Sequence, residues 1–283
     1  MDGRRFLDLW LDDGRGILGD RDRYTRTYAA NAADKGLTRP YPGLYDTRFR
    51  KAVISAWPGF DVIKVYQSED RALHAAVSVL GIPPASGISS APDILKVLVD
   101  SSLIKTSTAG PDSIGAGNSG HHPGLLLARP FVEVPQTFDL AMPRLPCPRP
   151  YAPWCLMARS GTAAAKLLER DTGDIIPAQS LLAASRGLAS LEGAVRDSYG
   201  EELWDRFERR LGAWFTRYGP YLVPRPRFVP EADTPAYEAF FRAALAGGAL
   251  LSPRMDAPSV IPPEFDDGEL VKLARALDKL QGC

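Results

Sequence analysis

Any chemistry in this 283-residue sequence has to come from a small set of residues. Gly115-Ala116-Gly117-Asn118-Ser119-Gly120 spells G-x-G-x-x-G. That pattern holds a pyrophosphate only when a strand precedes it and a helix follows. Here His121-His122-Pro123 and an apolar run follow, so residues 110–124 read as an exposed Gly/Ser-rich loop. His121, His122 and His74 are the only histidines. Adjacent side chains diverge, and no Cys or carboxylate cluster at metal-ligand spacing accompanies them, so no metal site is expected. The patterns G-x-S-x-G, G-x-x-x-x-G-K-[ST] and H-E-x-x-H do not occur. Two turns do combine a strand end, a serine and a helix start, the geometry that offers backbone N–H groups to a phosphate. One is Tyr66–Ala72, where Ser68 is followed by Glu69 and Asp70, which repel a dianion. The other is Ala158–Ala163, where Ser160, Gly161 and Thr162 supply hydroxyls and room for close approach. Each turn, taken alone, also reads as an ordinary helix N-cap.

The elements that must position these residues follow from pattern. Residues 1–21 read as a short extended segment with a turn at Asp12-Asp13-Gly14. Helices are expected from Asp22 to Lys35, and from an N-capping Asp46 to Trp57. The β-branched run Asp61–Tyr66 predicts a strand, and Ser68 caps a helix through Leu80. Ile94–Val99 and Leu125–Val134 read as buried strands, and the prolines of residues 130–153 as an extended connector. Trp154–Ala158 predicts a short strand and Ala163–Arg170 a short helix. Pro177 opens a helix to about Arg196, and Glu201–Tyr218 is amphipathic throughout. Tyr221–Val223 and Ala249–Leu251 read as strands, Ala236–Ala246 as a helix, and Asp266 or Asp267 as the cap of a last helix to Leu280.

Composition narrows the function classes. The chain carries 34 Lys+Arg against 34 Asp+Glu, which removes any global electrostatic case for nucleic acid or an anionic membrane. Arg206, Arg209, Arg210, Arg217, Arg225 and Arg227 are offset by Glu201, Glu202, Asp205 and Glu208, as on a solvated helix face. No run of ~18 apolar residues predicts a membrane span, and Asp8, Asp12 and Asp13 break any signal-peptide core. The three cysteines, Cys147, Cys155 and Cys283, are odd in number and form no C-x-x-C, as expected of free thiols in the cytoplasm.

Several stretches together resemble fold-type I pyridoxal-phosphate enzymes, and most of all class III aminotransferases of the glutamate-1-semialdehyde aminomutase kind. Asp2-Gly3-Arg4-Arg5-Phe6-Leu7-Asp8 through Leu18-Gly19 resembles that family's D-G-x-x-[YF]-[IL]-D opening and its L-G-H, with Asp20 in place of the His. Asp46–Gly59 resembles the helix before the cofactor strand. Val62–Ala72 falls where the family has its S-G-T-E-A phosphate cup, with Ser68 and Ala72 matching. Ala178–Glu192 resembles the helix leaving the large domain, Gly248–Pro253 the small-domain G-V-x-L-x-P strand, and Pro262–Leu277 the closing segment.

The resemblance implies an α/β fold: a reduced large domain with a mixed, partly parallel sheet and helices, plus a smaller α+β C-terminal domain. The expected organisation is an N-terminal segment 1–21, a large domain 22–176 with a Gly/Pro-rich stretch 110–153, and a small domain 177–283. It also implies a homodimer, pyridoxal phosphate, and a small amino or phosphorylated metabolite as ligand. The family's chemistry needs a Schiff-base lysine following a strand and an Asp facing the pyridinium nitrogen. By chain order Lys96, Lys105 and Lys166 qualify for the lysine, and Asp139 lies at a fitting distance before Lys166. Yet Lys166 falls inside a helical stretch, Phe138-Asp139-Leu140-Ala141 lacks the family's D-E-[VA], and no tyrosine-histidine-glycine stacking motif occurs. Against that family the chain is short, and the missing length falls between about residues 82 and 176. The expectation is therefore a degenerate homologue that no longer forms an internal aldimine and has a binding or assembly role, with either pyridoxal phosphate or no cofactor bound. The alternative is a working aminotransferase or aminomutase using Lys166 or Lys105, with phosphate held by Ser68 or by Ser160, Gly161 and Thr162.

Overall fold

The computed structural model describes residues 5–19, 23–40, 43–81, 98–100, 124–230 and 233–282. In chain order these carry β1 (Leu7–Asp8), α1 (Arg23–Asp34), α2 (Leu44–Ala56), β2 (Phe60–Tyr66), α3 (Glu69–Val79), β3 (Leu98–Asp100), β4 (Leu125–Ala128), β5 (Leu140–Pro143), β6 (Trp154–Arg159) and α4 (Ala163–Arg170). Then follow α5 (Ala178–Asp197), α6 (Glu201–Leu211), β7 (Phe215–Tyr218), β8 (Tyr221–Pro224), α7 (Thr234–Ala246), β9 (Ala249–Leu250), β10 (Ser259–Val260) and α8 (Asp267–Asp278). The chain forms two compact units, residues 23–190 and residues 1–22 with 191–283. Among the described residues no helix is long and apolar enough to cross a membrane.

The unit of residues 23–190 is built on a five-stranded mixed sheet in the order β2-β6-β5-β4-β3. β3, β4 and β5 pair in parallel, while β6 runs against both β5 and β2. The carboxyl ends of β2, β3, β4 and β5 and the start of β6 therefore share one edge. Period-two alternation sends strand residues to two apolar layers. Ile63, Val65, Leu126, Ala128, Ala141 and Met157 pack with Phe49 and Val53 of α2 and Leu181 and Ala184 of α5. Tyr66, Leu127, Met142 and Leu156 pack with Leu73 and Ala76 of α3 and Leu168 of α4. Phe49 and Val53 are fully buried, a burial worth about 1.5–3 kcal/mol for each such side chain.

In the other unit β1 lies parallel to β9, and β10, β8 and β7 form an antiparallel sheet. Asp266 and Glu269 close a capping box on α8. Arg217 on β7 reaches back to Glu201, Asp205 and Glu208 on α6 at 2.8–3.1 Å.

Four elements differ from the sequence expectation. The strand expected over Leu125–Val134 ends at Ala128, because Pro130 cannot donate to a ladder and Phe131 turns left-handed at φ 64°. The connector 130–153 contains a buried strand, β5, whose two flanking neighbours supply the ladder that its prolines disguise. The amphipathic stretch 201–218 is a helix only to Leu211. Phe215 continues the buried pattern from a strand instead. α2 starts at Leu44 behind Gly43, and Asp46 sits in its first turn, where it accepts from Arg50 Nε at 2.7 Å. Of the strand expected at Ile94–Val99, only Leu98 and Val99 lie within the described residues, in β3.

α5 crosses the segment after β5 at Gly187, where an added Cβ would overlap the Pro146 carbonyl oxygen. Gly187→Ala is therefore expected to destabilise the protein by about 1–3 kcal/mol through overpacking. Urea unfolding would read this as a lower midpoint with an unchanged slope.

Candidate functional site

In open α/β sheets ligands lie outside the carboxyl ends of the strands. The residues at that edge of the five-stranded sheet follow from register. β2 and β6 place Tyr66 opposite Trp154, and β4 and β5 place Ala128 opposite Pro143. Arg129 and Arg144 come one residue later on adjacent parallel strands, and the Arg144 N–H donates to the Ala128 carbonyl at 2.8 Å. Alternation then sets Tyr66, Trp154, Arg144 and Arg129 in one row, on the face that packs against α3 and α4. Arg129 is 0% and Arg144 6% exposed. The Arg144 guanidinium stands 5.7 Å from the Trp154 ring centroid, within cation–π range.

At the β2 end of the row, Ser68 caps α3, its Oγ accepting from the Arg71 N–H at 3.3 Å. The neighbouring Gln67 N–H donates to Asp174 Oδ2 at 3.0 Å, and Arg71 Nη2 to Asp174 Oδ1 at 3.0 Å. Tyr66 OH donates to Asp171 at 3.2 Å. Burial and the Asp171 carboxylate push the Tyr66 phenol well above its ordinary value. Burial opposes ionisation of Asp174, but the Arg71 and Gln67 donors outweigh it and hold the carboxyl below its ordinary value. The Gln67 N–H of this turn is thus held by a carboxylate of the chain itself.

The other candidate residues lie at the opposite edge. Asp139 precedes β5, and its carbonyl accepts from the Arg159 N–H at 3.0 Å. Ser160 Oγ donates to Asp61 at 2.9 Å, Gly161 takes φ 83°, and Thr162 Oγ1 accepts from the Ala165 N–H at 3.1 Å as the N-cap of α4. Lys166 follows on the exposed side of α4. Asp139, Ser160, Gly161, Thr162 and Lys166 are therefore gathered at the amino edge, and Ser68 stands apart from them at the carboxyl edge. Lys96, Lys105, Gly115–Gly120, His121 and His122 lie outside the described residues. Among the described residues no group of His, Cys, Asp and Glu could hold a metal ion.

Arg129, Arg144 and Trp154 were not singled out from sequence. The signal that could have found them is a charged residue placed directly after a short apolar run, as in Leu127-Ala128-Arg129 and Met142-Pro143-Arg144.

No protein-family model matches the chain. It is similar to an uncharacterized protein of Treponema pallidum (strain Nichols), 23% identical over 277 residues, covering 92% of this chain and 84% of that protein. An uncharacterized protein of Borreliella burgdorferi is 28% identical over 79 residues, 28% of this chain and 29% of that protein. Among solved structures, an omega-transaminase from Sphaerobacter thermophilus superposes with a TM-score of 0.66 at 11% identity, covering 99% of this chain and 88% of that one. A glutamate-1-semialdehyde aminomutase from Pseudomonas aeruginosa PAO1 gives 0.60 at 15%, covering 100% and 84%. A transaminase with PLP bound gives 0.62 at 12%, covering 100% and 88%. The fold is that of the pyridoxal-phosphate aminotransferases.

Because the folded Asp174 titrates below its ordinary 3.8, its contacts stabilise the fold above the ordinary carboxylate range. That contribution is lost as pH falls through the folded value. The Tm gap between wild type and Asp174→Asn should therefore be widest above pH about 4 and close below it. A thermal melt series across that range checks the sign.

Proposed function

We propose that this protein is a non-catalytic member of the aminotransferase fold, with a binding or assembly role in place of Schiff-base chemistry. The observation that carries this reading is the composition of the carboxyl edge. A pyridoxal-phosphate aldimine requires a lysine amine there, and a carboxylate to keep the pyridinium nitrogen protonated and make the ring an electron sink. The described residues at the ends of β4 and β5 are the buried guanidinium groups of Arg129 and Arg144. A guanidinium has no lone pair to attack an aldehyde, does not deprotonate in proteins, and disfavours a second positive charge beside it. The phosphate position is equally unsuited, since the Gln67 N–H is already held by Asp174.

Two described lysines beside the sheet, Lys64 and Lys166, support the same reading. Lys166 is exposed on α4, and Lys64 donates to the Glu169 carbonyl at 3.2 Å beside the edge strand β2. The cofactor-forming geometry is thus not met by the described residues, and no catalytic step is derived through the cofactor. The same reading takes the protein to be cytoplasmic, in keeping with its odd number of cysteines, and a homodimer, as the resemblance implies; light scattering of the purified protein tests the dimer directly.

The central experiment is spectroscopic. Purified protein mixed with pyridoxal phosphate is expected to show no visible aldimine band, and borohydride is expected to leave no covalent adduct. A reducible band that disappears in Lys105→Ala or Lys166→Ala would overturn the proposal and establish the lysine that forms it.

A further inference from the structure

The amino edge of the same sheet, away from the arginine row, holds a cavity of about 260 Å³ between the start of β2 and the loop leading into β5. The buried aromatics Trp57 and Phe60 line it together with Val132, Val134 and the charged residues Arg159 and Glu133. Arg159 is fixed by its other donors. Nε donates to the Phe138 carbonyl at 3.0 Å, and Nη2 to those of Pro135 at 3.3 Å and Val134 at 3.4 Å. The guanidinium plane is backed by the Phe60 ring, 4.2 Å from its centroid. Nη1 donates to no acceptor among the described residues. It stands 3.0 Å from where a Cβ on residue 59 would lie, so Gly59 at φ 90° is what leaves it open.

The loop that carries Val132 and Val134 is itself held in an unusual conformation, with Phe131 at φ 64°. A bulky residue seldom adopts this, and such strain tends to collect at ligand sites. A pre-oriented guanidinium with a spare donor, in a cavity lined by two aromatic residues, is a recognition element for a planar anion. The volume sits just below the usual range for ligand pockets, which limits the occupant to a few heavy atoms beyond the anionic group. Exposed Glu133 places negative charge at the rim and penalises a second carboxylate.

We propose that this cavity binds a small monocarboxylic acid with a compact apolar body, its carboxylate on Arg159 and its apolar end against Trp57 and Phe60. The site is independent of the carboxyl-edge reading, because it shares no residue with the arginine row and needs no cofactor.

Titration of the full chain with isovalerate, followed by the indole N–H resonance of Trp57 (assigned with Trp57→Phe), tests the site. The expected result is a saturable shift, weaker by about tenfold or more for succinate and for the neutral isovaleramide, as loss of a charge-assisted pair predicts. Arg159→Lys should weaken isovalerate by about tenfold, since one ammonium cannot hold the Phe138, Pro135 and Val134 carbonyls and also direct a donor into the cavity. Val132→Phe leaves the carbonyl partners of Arg159 in place while filling the cavity, and should abolish the shift. Glu133→Gln should narrow the gap between succinate and isovalerate. An absent or non-saturating shift, equal binding of isovaleramide, or unchanged binding in a folded Val132→Phe would each overturn the proposal.

Discussion

Covering both faces of a sheet with helices leaves charged side chains of its inner strands no place except the strand ends, and this constraint governs the unit of residues 23–190. Leu126 and Leu127, Ala141 and Met142, and Leu156 and Met157 point alternately into two apolar layers, and none of these positions tolerates a charge without a partner. The first polar residues after β4 and β5 are arginines, and the parallel register makes them neighbours. Two arginines in neighbouring register, both shielded from water, bring positive charge to that edge.

The way β4 joins β5 has a second consequence. Parallel neighbours need a crossover, which is usually helical and so satisfies its own backbone. Here residues 129–139 return to the amino edge in irregular conformation, bent by Pro130, Phe131 and Pro135. A crossover of this kind presents carbonyls that need donors from elsewhere. Arg159 at the end of β6 supplies them to Val134, Pro135 and Phe138. Burial lowers the pKa of that guanidinium and the Asp139 carboxylate opposes the shift, so its charge is retained. The rigid, partly used arginine at the amino edge is thus a product of the helix-free crossover.

Much of this was legible in the sequence wherever a local rule carried the information. The β-branched run of β2, the Ser68 cap, Thr162 at the start of α4 and the capping Asp266 all follow from neighbours within four residues, and the structure forms each of them. The fold itself was legible through the ends of the resembled family. What stayed hidden depends on partners far away in sequence. β5 is a strand because β4 and β6 flank it, although Pro143 and Pro146 argue locally for a connector. Arg129 and Arg144 become neighbours only through that same pairing. Asp174 reaches Gln67 across 107 positions, so nothing near Ser68 announces that its turn is already occupied.

That occupation bears on what an anion would add at this edge. A helix start at a sheet edge carries unsatisfied N–H groups and the positive end of the helix dipole, and an anion bound there relieves both. In this chain Ser68, Glu69, Asp70 and Asp174 supply the hydroxyl and carboxylates at α3 from the protein itself. Tyr66, Asp171 and Gly173 tie the same segment to the strand edge, through Tyr66 OH to Asp171 and the Gly173 N–H to Asp171 at 2.7 Å. The apolar layers on either side are built from aliphatic, aromatic and sulfur side chains. Part of the electrostatic role an anionic ligand would play at this edge is thus filled by groups of the chain itself.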